Sequence, residues 1–281
     1  MNNISSQPIK LIVSDVDGTF LPKSRRITAA TRDALTELKK QEIIVVLASS
    51  RPPRGMLHIL EDAGMMEFTA PFIGMNGAVI AQTDATTDTT TLYSAQIDAE
   101  IVQTVYDLVH DTGVNFMLLD EEGWWSSGND ELVRREAASL RFEPILEGLV
   151  ERMKFPVNKI TLLGKPEQSA EAKRRIDKHL GDSVSASSPA NPKFIDITAP
   201  NVHKGTAVLR LAEMLGIKRE EICAIGDGEN DIEMFRVAGM SVAMGHATEY
   251  VRNAASYLTS SHEEDGWAKA MQSFVLDKAH F

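Results

Sequence analysis

Short apolar runs alternate with amphipathic segments along the first eighty residues. Residues 11–13 and 43–48, and the stretch from Pro71 to Ala78, contain too few polar residues for a half-buried strand, so each predicts a strand buried on both faces. Between the first two runs, Thr28–Lys40 predicts an amphipathic helix opened by Thr28. Strand, helix and buried strand in this order predict a βαβ unit and a parallel sheet.

The pattern changes after this unit. Residues 82–91, QTDATTDTTT, are polar and Thr-rich, which predicts a surface hairpin loop or a linker. The following segment mixes both periodicities, and we predict that 82–192 form a second α+β domain inserted into the first. Its predicted elements are helices over 97–109 and 167–180 and strands over 114–119, 157–163 and 183–187.

The last third of the chain resumes the first pattern. Residues 193–198, KFIDIT, alternate as a strand leading back to the first domain, and a helix is predicted from Lys204 through Leu215. A buried strand over 222–225 and a helix through Phe235 follow. We therefore predict that 1–81 and 193–281 form one α/β domain, with 82–192 inserted between its halves.

Composition excludes several classes of protein. The formal net charge of -11 disfavours nucleic acid and anionic membranes as partners. The segment MNNISSQPIK lacks the features of a signal peptide, and no apolar stretch is long enough to span a bilayer. The single cysteine, Cys223, lies in an apolar run and predicts a core residue. We expect a soluble, cytoplasmic protein, either a monomer or a homodimer.

Candidate chemistry begins where the first strand ends. Asp15 and Asp17 follow the apolar run, and Gly18 turns the chain away. Carboxylates at i and i+2 of a strand share a face, and open α/β sheets bind ligands at the carboxyl ends of their strands. Two such anions need a cation, or a difference in protonation, to relieve their repulsion. The alternative is a carboxylate-rich turn that caps a neighbouring helix.

The pentapeptide Asp15-Val16-Asp17-Gly18-Thr19 resembles the DxDGT signature of the haloacid-dehalogenase superfamily of phosphatases. Further matches follow in order along the chain. Ser49-Ser50-Arg51-Pro52 is similar to the second motif, with Ser50 in place of the usual glycine, and a serine-rich turn capping a helix is the alternative. A hydroxyl, backbone N–H groups and a guanidinium at this position suit phosphate oxygens.

Three later segments extend the resemblance. Asn76-Gly77 is similar to the NGA element of members with a large cap, although Asn-Gly is also a strong hairpin signal. Lys204-Gly205-Thr206 at a helix start resembles the third motif. Residues 226–231, GDGEND, match the GDxxND motif in full.

The resemblance is to the Cof-type, type-IIB branch, and it implies a Rossmann-like doubly wound parallel-sheet core with an inserted α+β cap that sets specificity. It further implies a Mg²⁺-dependent phosphatase of small phosphorylated metabolites, with sugar phosphates favoured. Asp15 would be the nucleophile that forms an aspartyl-phosphate, and Asp17 the general acid and base. The ion would be held by Asp15, the backbone carbonyl of Asp17 and Asp227, with Asp231 either a direct ligand or a support for one.

The resemblance also implies a set of phosphate- and substrate-binding residues. Side chains and backbone N–H groups would hold the phosphoryl oxygens, with the Asn at the mouth of the site. These residues are Val16, Ser49, Ser50, Arg51, Asn76, Lys204 and Asn230.

Several alternatives stay open from the sequence. A phosphomutase or a sugar-phosphate phosphatase of narrow specificity would use the same motifs, and a non-catalytic phosphate-binding regulator would not need Asp17 as an acid. Trp124 and Trp125 either close over the substrate or pack in a small core, and the core interpretation is favoured. His203, His246 and His262 receive no role.

Overall fold

The computed structural model of the protein describes residues 8–66, 71–84, 88–188 and 191–277. Seven of the ten residues on which the signal-peptide prediction rests lie outside these ranges. No helix in the described ranges is long and apolar enough to cross a membrane. The strands are β1 Leu11–Asp15, β2 Ile44–Ala48, β3 Pro71–Gly74, β4 Val79–Thr83, β5 Thr89–Ser94, β6 Asn115–Leu119, β7 Trp124–Ser126, β8 Lys159–Leu163, β9 Ser185–Ser187, β10 Phe194–Thr198, β11 Ile222–Gly226, β12 Met240–Ala243 and β13 Tyr257–Leu258. The helices are α1 Ala29–Lys40, α2 Pro53–Asp62, α3 Ala99–Val109, α4 Glu131–Leu140, α5 Leu149–Arg152, α6 Pro166–His179, α7 Lys204–Leu215, α8 Ile232–Val237, α9 Glu249–Ala254 and α10 Gly266–Met271.

Eight strands form the larger sheet, in the order β13-β12-β11-β1-β2-β3-β4-β5. The six strands from β13 to β3 are parallel, and β1 lies between β11 and β2. Ile12 packs into the apolar cluster on one face of the sheet, while Leu11 and Val13 pack into the cluster on the other. Burial on both faces explains the apolar run without alternation, and the α/β prediction is confirmed.

The far edge of this sheet is antiparallel. The predicted strand from Pro71 to Ala78 comprises β3 and the turn that follows it, and this turn joins β3 to its antiparallel partner β4. Asn76 adopts a positive φ of 53° in the turn, a backbone conformation that asparagine tolerates better than most residues. The hairpin signal of Asn-Gly was therefore correct, and the strand assignment was too long.

Five strands form a second, antiparallel sheet in the order β7-β6-β8-β10-β9. Phe116, Leu118 and Ile160 point into an apolar cluster that also holds residues of α3 and α6. Their neighbours along the same strands, among them Met117 and Lys159, point to the opposite face. That opposite face lies over the carboxyl ends of β1 and β2, because Lys159 Nζ donates to the backbone carbonyl of Ser50 at 2.7 Å.

Two elements differ from the prediction in the sheet to which they belong or in being strands at all. β10 does not lead back into the larger sheet, because it pairs with β8 and β9 and buries Ile195 and Ile197 beneath the second sheet. β5, within the Thr-rich segment predicted as a loop or linker, pairs with β4 at the exposed edge of the larger sheet. The division between the sheets therefore does not coincide with positions 82 and 192. Residues 85–87 of that segment lie outside the described ranges.

Candidate active site

Three carboxylates meet at the carboxyl ends of β1 and β11. Asp15 ends β1, Asp227 directly follows β11, and Asp231 closes a short turn before α8. The parallel pairing of Ser14 with Ile225 brings these ends together. One oxygen of each carboxylate lies within 4.8 Å of the others. The topology thus gathers acids that are more than 200 positions apart in the chain.

Lys204 lies between two of these carboxylates. Its Nζ donates to Asp15 Oδ1 at 2.5 Å and to Asp231 Oδ1 at 2.7 Å, and its side chain is fully buried. The lysine begins α7, where the helix dipole disfavours a cation. His203 caps this helix, with Nδ1 accepting from the backbone N–H of Thr206 at 3.3 Å. The histidine left without a role therefore holds the start of the helix that carries Lys204.

The charged groups of this cluster shift one another's pKa values. Burial raises the pKa of Asp15 well above its usual range, the charge of Asp231 raises it further, and Lys204 opposes both. Burial also raises the pKa of Asp231, again against Lys204. Burial alone would lower the pKa of Lys204, but the charges of Asp15 and Asp231 outweigh it, so its pKa is raised. Lys204 therefore stays protonated, but the raised pKa values of Asp15 and Asp231 show that one ammonium does not fully offset the burial and mutual repulsion of these carboxylates.

Hydrogen bonds hold the other two carboxylates in place. Thr19 Oγ1 donates to Asp227 Oδ1 at 2.9 Å, and Asp231 Oδ2 accepts from the backbone N–H groups of Asp227 and Gly228 at 3.0 and 2.9 Å. Gly18 has a φ of 95°, and a Cβ there would lie 2.6 Å from Asp227 Oδ2. Positive φ and close approach together require glycine at this turn.

The cluster fits a hard divalent cation. Three carboxylates face one ammonium, so a charge of +2 would balance the site, and magnesium prefers oxygen ligands. The carboxylate of Asp17 is not part of the cluster, and a contribution of its backbone carbonyl stays a prediction. His246 Nε2 lies 3.3 Å from Asp227 Oδ2, on the outer side of the cluster.

Asp17 instead forms a bidentate ion pair with Arg51. Arg51 Nε and Nη2 donate to its two oxygens, each at 2.7 Å. The same guanidinium donates to the backbone carbonyl of Ser139 at 2.7 Å and to its hydroxyl at 2.9 Å. Burial pushes the pKa of Asp17 upward, but the hydrogen bonds and charge of Arg51 outweigh burial and lower it. Sequence reasoning did not anticipate this bridge from Asp17 to α4.

Most of the predicted binding residues gather around one cavity of about 260 Å³. Ser49 Oγ accepts the backbone N–H of Arg51 at 3.2 Å. The residue after it, Ser50, has no positive φ, so serine replaces the usual glycine there without backbone strain. The predicted site residues that line the cavity are Asp15, Asp17, Ser49, Ser50, Arg51, Asp227, Asn230 and Asp231, whereas Val16, Asn76 and Lys204 lie behind its surface.

A chain of polar side chains along the cavity connects the two sheets. Asn230 Nδ2 donates to Asn76 Oδ1 at 3.0 Å, and Asn76 Nδ2 donates to Asp196 Oδ2 at 2.8 Å. Asp196 Oδ1 also accepts from Thr161 at 2.6 Å and from Lys159 at 2.9 Å. Asn76 is thus both a turn residue and the link between the sheets.

Sequence reasoning missed the wall of the cavity that the second sheet supplies. Lys159, Thr161 and Asp196 line it, since they occupy alternate positions on β8 and β10. The signal that could have found them is a charged or polar residue at every second position of an otherwise apolar strand. Glu136 and Ser139, three residues apart on α4, also line the cavity and were not predicted.

The two tryptophans differ in environment. Trp124 is fully buried and packs in the core, as the favoured interpretation predicted, and it also lines the cavity. Trp125 is partly exposed, and the guanidinium of Arg152 lies 5.1 Å from its ring centroid. Only Trp124 is therefore placed to contact a bound molecule.

Comparisons with known proteins agree with this geometry. The family model described as haloacid dehalogenase-like hydrolase matches residues 12–271. YxeH of Bacillus subtilis is 30% identical over 275 residues, which cover 96% of this chain and 99% of YxeH. A 5-amino-6-(5-phospho-D-ribitylamino)uracil phosphatase of the same organism, YcsE, is 29% identical, with 95% of this chain and 96% of YcsE covered. Among solved structures, the subclass IIB sugar phosphatase BT4131 has a TM-score of 0.82 and 27% identity, with 95% of this chain and 99% of BT4131 covered.

Proposed function

The chain belongs to the haloacid dehalogenase-like hydrolases and is a phosphatase of that family, and from this premise we propose its reaction. It hydrolyses small phosphorylated metabolites, sugar phosphates above all, with Mg²⁺ and through an aspartyl-phosphate. The observation that carries the proposal is the cluster of Asp15, Asp227 and Asp231 around Lys204, which faces Asp17 across one cavity. A phosphoryl group needs this combination of nucleophile, cation and proton donor in one place.

In the first step, a carboxylate oxygen of Asp15 attacks phosphorus, and the bond from phosphorus to the leaving oxygen breaks. Asp17 gives its proton to that oxygen. In the second step Asp17 takes a proton from water, whose oxygen attacks phosphorus and releases Asp15 and inorganic phosphate. The two carboxylates return to their starting states, so the cycle balances.

The proton of Asp17 connects the reaction to Arg51. While Arg51 is paired with Asp17, the pKa of Asp17 is low and the carboxylate is a poor acid. A phosphoryl group that enters the cavity competes for the guanidinium, since Arg binds phosphate and carboxylate oxygens alike. Loss of the ion pair raises the pKa of Asp17, which favours protonation before the leaving group departs.

Other residues would position the phosphoryl group. Ser49, Asn230 and Arg51 line the cavity beside Asp15, and the N–H groups of Val16 and Ser50 are further donors. Lys204 and Asn76 would act from behind, by holding Asp15 and Asn230. Asp15, Asp227 and Asp231, with the backbone carbonyl of Asp17, would hold Mg²⁺, which neutralises charge on nucleophile and phosphate when bound.

Cavity size and the relatives support a small polar leaving group. A volume of about 260 Å³ is at the low end for small-molecule sites. YcsE is named for a phosphoribityl substrate and BT4131 for sugar phosphates. We propose that the second sheet and its helices form the cap, with boundaries nearer 95 and 199 than 82 and 192. The cytoplasmic location and the monomeric or homodimeric state stay predictions.

Phosphate release from sugar, polyol, nucleotide and aryl phosphates tests the proposal. We expect release with Mg²⁺, none with EDTA, and a loss of at least about 10⁴-fold in kcat for Asp15→Asn. Trapping of phosphate on wild-type protein, but not on the variant, would locate the intermediate. Isomerised sugar phosphate in place of inorganic phosphate would favour a mutase. Binding of phosphate mimics without turnover would favour a regulator.

A further inference from the structure

The cap side of the cavity contains a carboxylate without a partner. Among the residues that the structure describes, Glu136 lines the cavity but has no hydrogen bond and no ion pair within 4 Å. Four of the other acids of the cavity, Asp15, Asp17, Asp196 and Asp231, accept from a cationic side chain, and the fifth, Asp227, accepts from the hydroxyl of Thr19. A half-buried carboxylate without a donor costs free energy that a hydrogen-bond donor would offset.

Its position on α4 directs Glu136 to the part of the cavity next to the reacting groups. Ser139, three residues further along the same helix face, holds the guanidinium of Arg51. Val133 and Ala137, on another face, pack into the apolar core. The helix is therefore fixed by packing, and Glu136 projects toward the space beyond Asp17 and Arg51.

Charge decides which part of a substrate Glu136 can contact. A phosphoryl group carries negative charge and would be repelled by a carboxylate, so Glu136 must face the leaving group. Burial raises the pKa of Glu136, and the charges of Arg51 and Lys159 only partly oppose it. Both cations are paired, Arg51 with Asp17 and Lys159 with Asp196, so the surroundings of Glu136 carry little net charge. A neutral hydrogen-bond donor fits best.

A second unpartnered polar group belongs to the same wall. The indole N–H of Trp124 is buried without an acceptor, and Trp124 lines the cavity. Met117 and Leu119 supply apolar surface between polar positions. A hydroxyl both donates and accepts hydrogen bonds, and a carbon chain with several hydroxyls presents both polar edges and C–H surface. The wall therefore matches a sugar or polyol better than an aryl or simple alkyl group.

We propose that Glu136 is a specificity-determining residue that accepts a hydrogen bond from a hydroxyl of the leaving group, and so selects phosphate esters of sugars or polyols. The inference rests on the proposed function, because it presupposes that a phosphate ester is hydrolysed in this cavity.

The test compares two esters in one protein. We expect Glu136→Ala to lower the ratio of kcat/KM for a hexose or pentitol phosphate to kcat/KM for p-nitrophenyl phosphate by about 10- to 100-fold. Glu136→Gln retains an accepting oxygen and should recover part of the ratio. Glu131→Gln is the matched control, since Glu131 lies on the same helix but its side chain is 71% exposed. This control should leave the ratio within about twofold of the wild type.

Deoxy analogues of the preferred sugar phosphate sharpen the test. If Glu136 accepts from one hydroxyl, removing that hydroxyl should cost the wild type about 10-fold or more in kcat/KM and should cost Glu136→Ala almost nothing. Equal losses for both ester classes in Glu136→Ala, or deoxy penalties that persist in the variant, would overturn the inference. Magnesium-dependent release from p-nitrophenyl phosphate by the wild type checks the proposed function separately. A wild type that hydrolyses only the aryl ester would sink the inference and leave the reaction intact.

Discussion

Two buried lysines flank the cavity and differ in their surroundings. Lys204 lies behind the wall that the larger sheet supplies, called the core wall below, and Lys159 lies in the wall that the second sheet supplies, called the cap wall below. Lys204, from the larger sheet's side, donates to two carboxylates, Asp15 and Asp231. Lys159, from the second sheet, donates to one carboxylate, Asp196, and to the backbone carbonyl of Ser50. Both side chains are almost fully buried, so both charges depend on their partners.

This difference in surroundings corresponds to a difference in role. Lys204 contacts carboxylates of the proposed reaction, whereas Lys159 holds the second sheet in position. Around Lys204 the carboxylates outnumber the cation, which leaves charge for a metal ion to balance. Around Lys159 one cation meets one carboxylate, and Asn76 and Thr161 complete the hydrogen bonds of Asp196. The carboxylates of the core wall can therefore bind a further cation. On the cap wall, the charges of Lys159 and Asp196 cancel, and this pair fixes the position of the second sheet over Ser50.

Of the substitutions that compare the two walls, Lys204→Met should have the largest effect on kcat and on the free energy of unfolding. Without the ammonium, Asp15 and Asp231 repel each other in a buried site, and we expect kcat to fall about 10²–10³-fold. We expect the free energy of unfolding to fall by about 3–5 kcal/mol. Steady-state kinetics and urea unfolding measure the two effects. Saturating Mg²⁺ should restore part of the stability, since the ion relieves the same repulsion.

A surface lysine of the same domain provides the control for this substitution. Lys40, 64% exposed and paired with Glu37, should lose less than about 0.5 kcal/mol on substitution by Met. Wild-type turnover by Lys204→Met would show that Asp15 is held without the ammonium, and the contrast between the walls would then fail.

The residues of the core wall could be predicted because they lie at the ends of strands that the sequence pattern predicts. Asp15, Ser49 and Asp227 each follow an apolar run, and parallel pairing brings such ends to one edge. Lys204 was predicted because it belongs to a motif at the start of a helix. The pair between Asp17 and Arg51 could not be predicted, because it depends on where Ser139 of α4 holds the guanidinium.

The residues of the cap wall could not be predicted as a group, because they meet only through the register in which β6 and β10 pair with β8. The alternation of KFIDIT correctly predicts a strand, but only the pairing of Asp196 with Thr161 and of Met117 with Thr161 brings these residues side by side. A strand of alternating polarity fits either sheet, so β10 was assigned to the wrong one. Glu136 belongs to a helix that was not predicted at all, and a glutamate on an amphipathic helix usually faces water.

Lys159→Met should have a smaller effect, of a different kind. Asp196 keeps Asn76 and Thr161 as donors, so we expect a loss of about 1–3 kcal/mol in the free energy of unfolding. Because the contact with the Ser50 carbonyl is also lost, we expect KM to rise more than kcat falls. Kinetics on a sugar phosphate and urea unfolding check both. A fall in kcat as large as that of Lys204→Met would erase the distinction between the walls.

A double-mutant cycle sharpens the same prediction. Combining Lys159→Met with Asp196→Asn removes both charges of the pair, and we expect the double variant to be more stable than the sum of the single losses implies. Lys154→Met, at an exposed pair with Glu151, controls for loss of a cap lysine. Additive losses would mean that Lys159 and Asp196 stabilise the cap independently.

The smallest predicted effect concerns His58, on α2, which shares a small cavity with Arg51 and Arg141. Burial and the charges of Arg141 and Arg51 together lower the pKa of His58 to about 4. An unfolded histidine titrates near 6.5, so between about pH 6.5 and 4 the unfolded state takes up the proton and the folded state does not. The stability associated with neutral His58 is therefore complete above about pH 6.5 and is lost as the pH falls toward 4.

Replacing His58 isolates this contribution from the carboxylates that titrate in the same range. We expect His58→Gln to flatten the pH dependence of the free energy of unfolding between pH 6.5 and 4 by about 1 kcal/mol, since partial exposure screens the charges. Urea unfolding at fixed ionic strength in EDTA measures it, with the exposed His179→Gln as the control. Equal slopes in His58→Gln and the wild type would show that neither burial nor the charges of Arg141 and Arg51 lower the pKa of His58 in the folded protein.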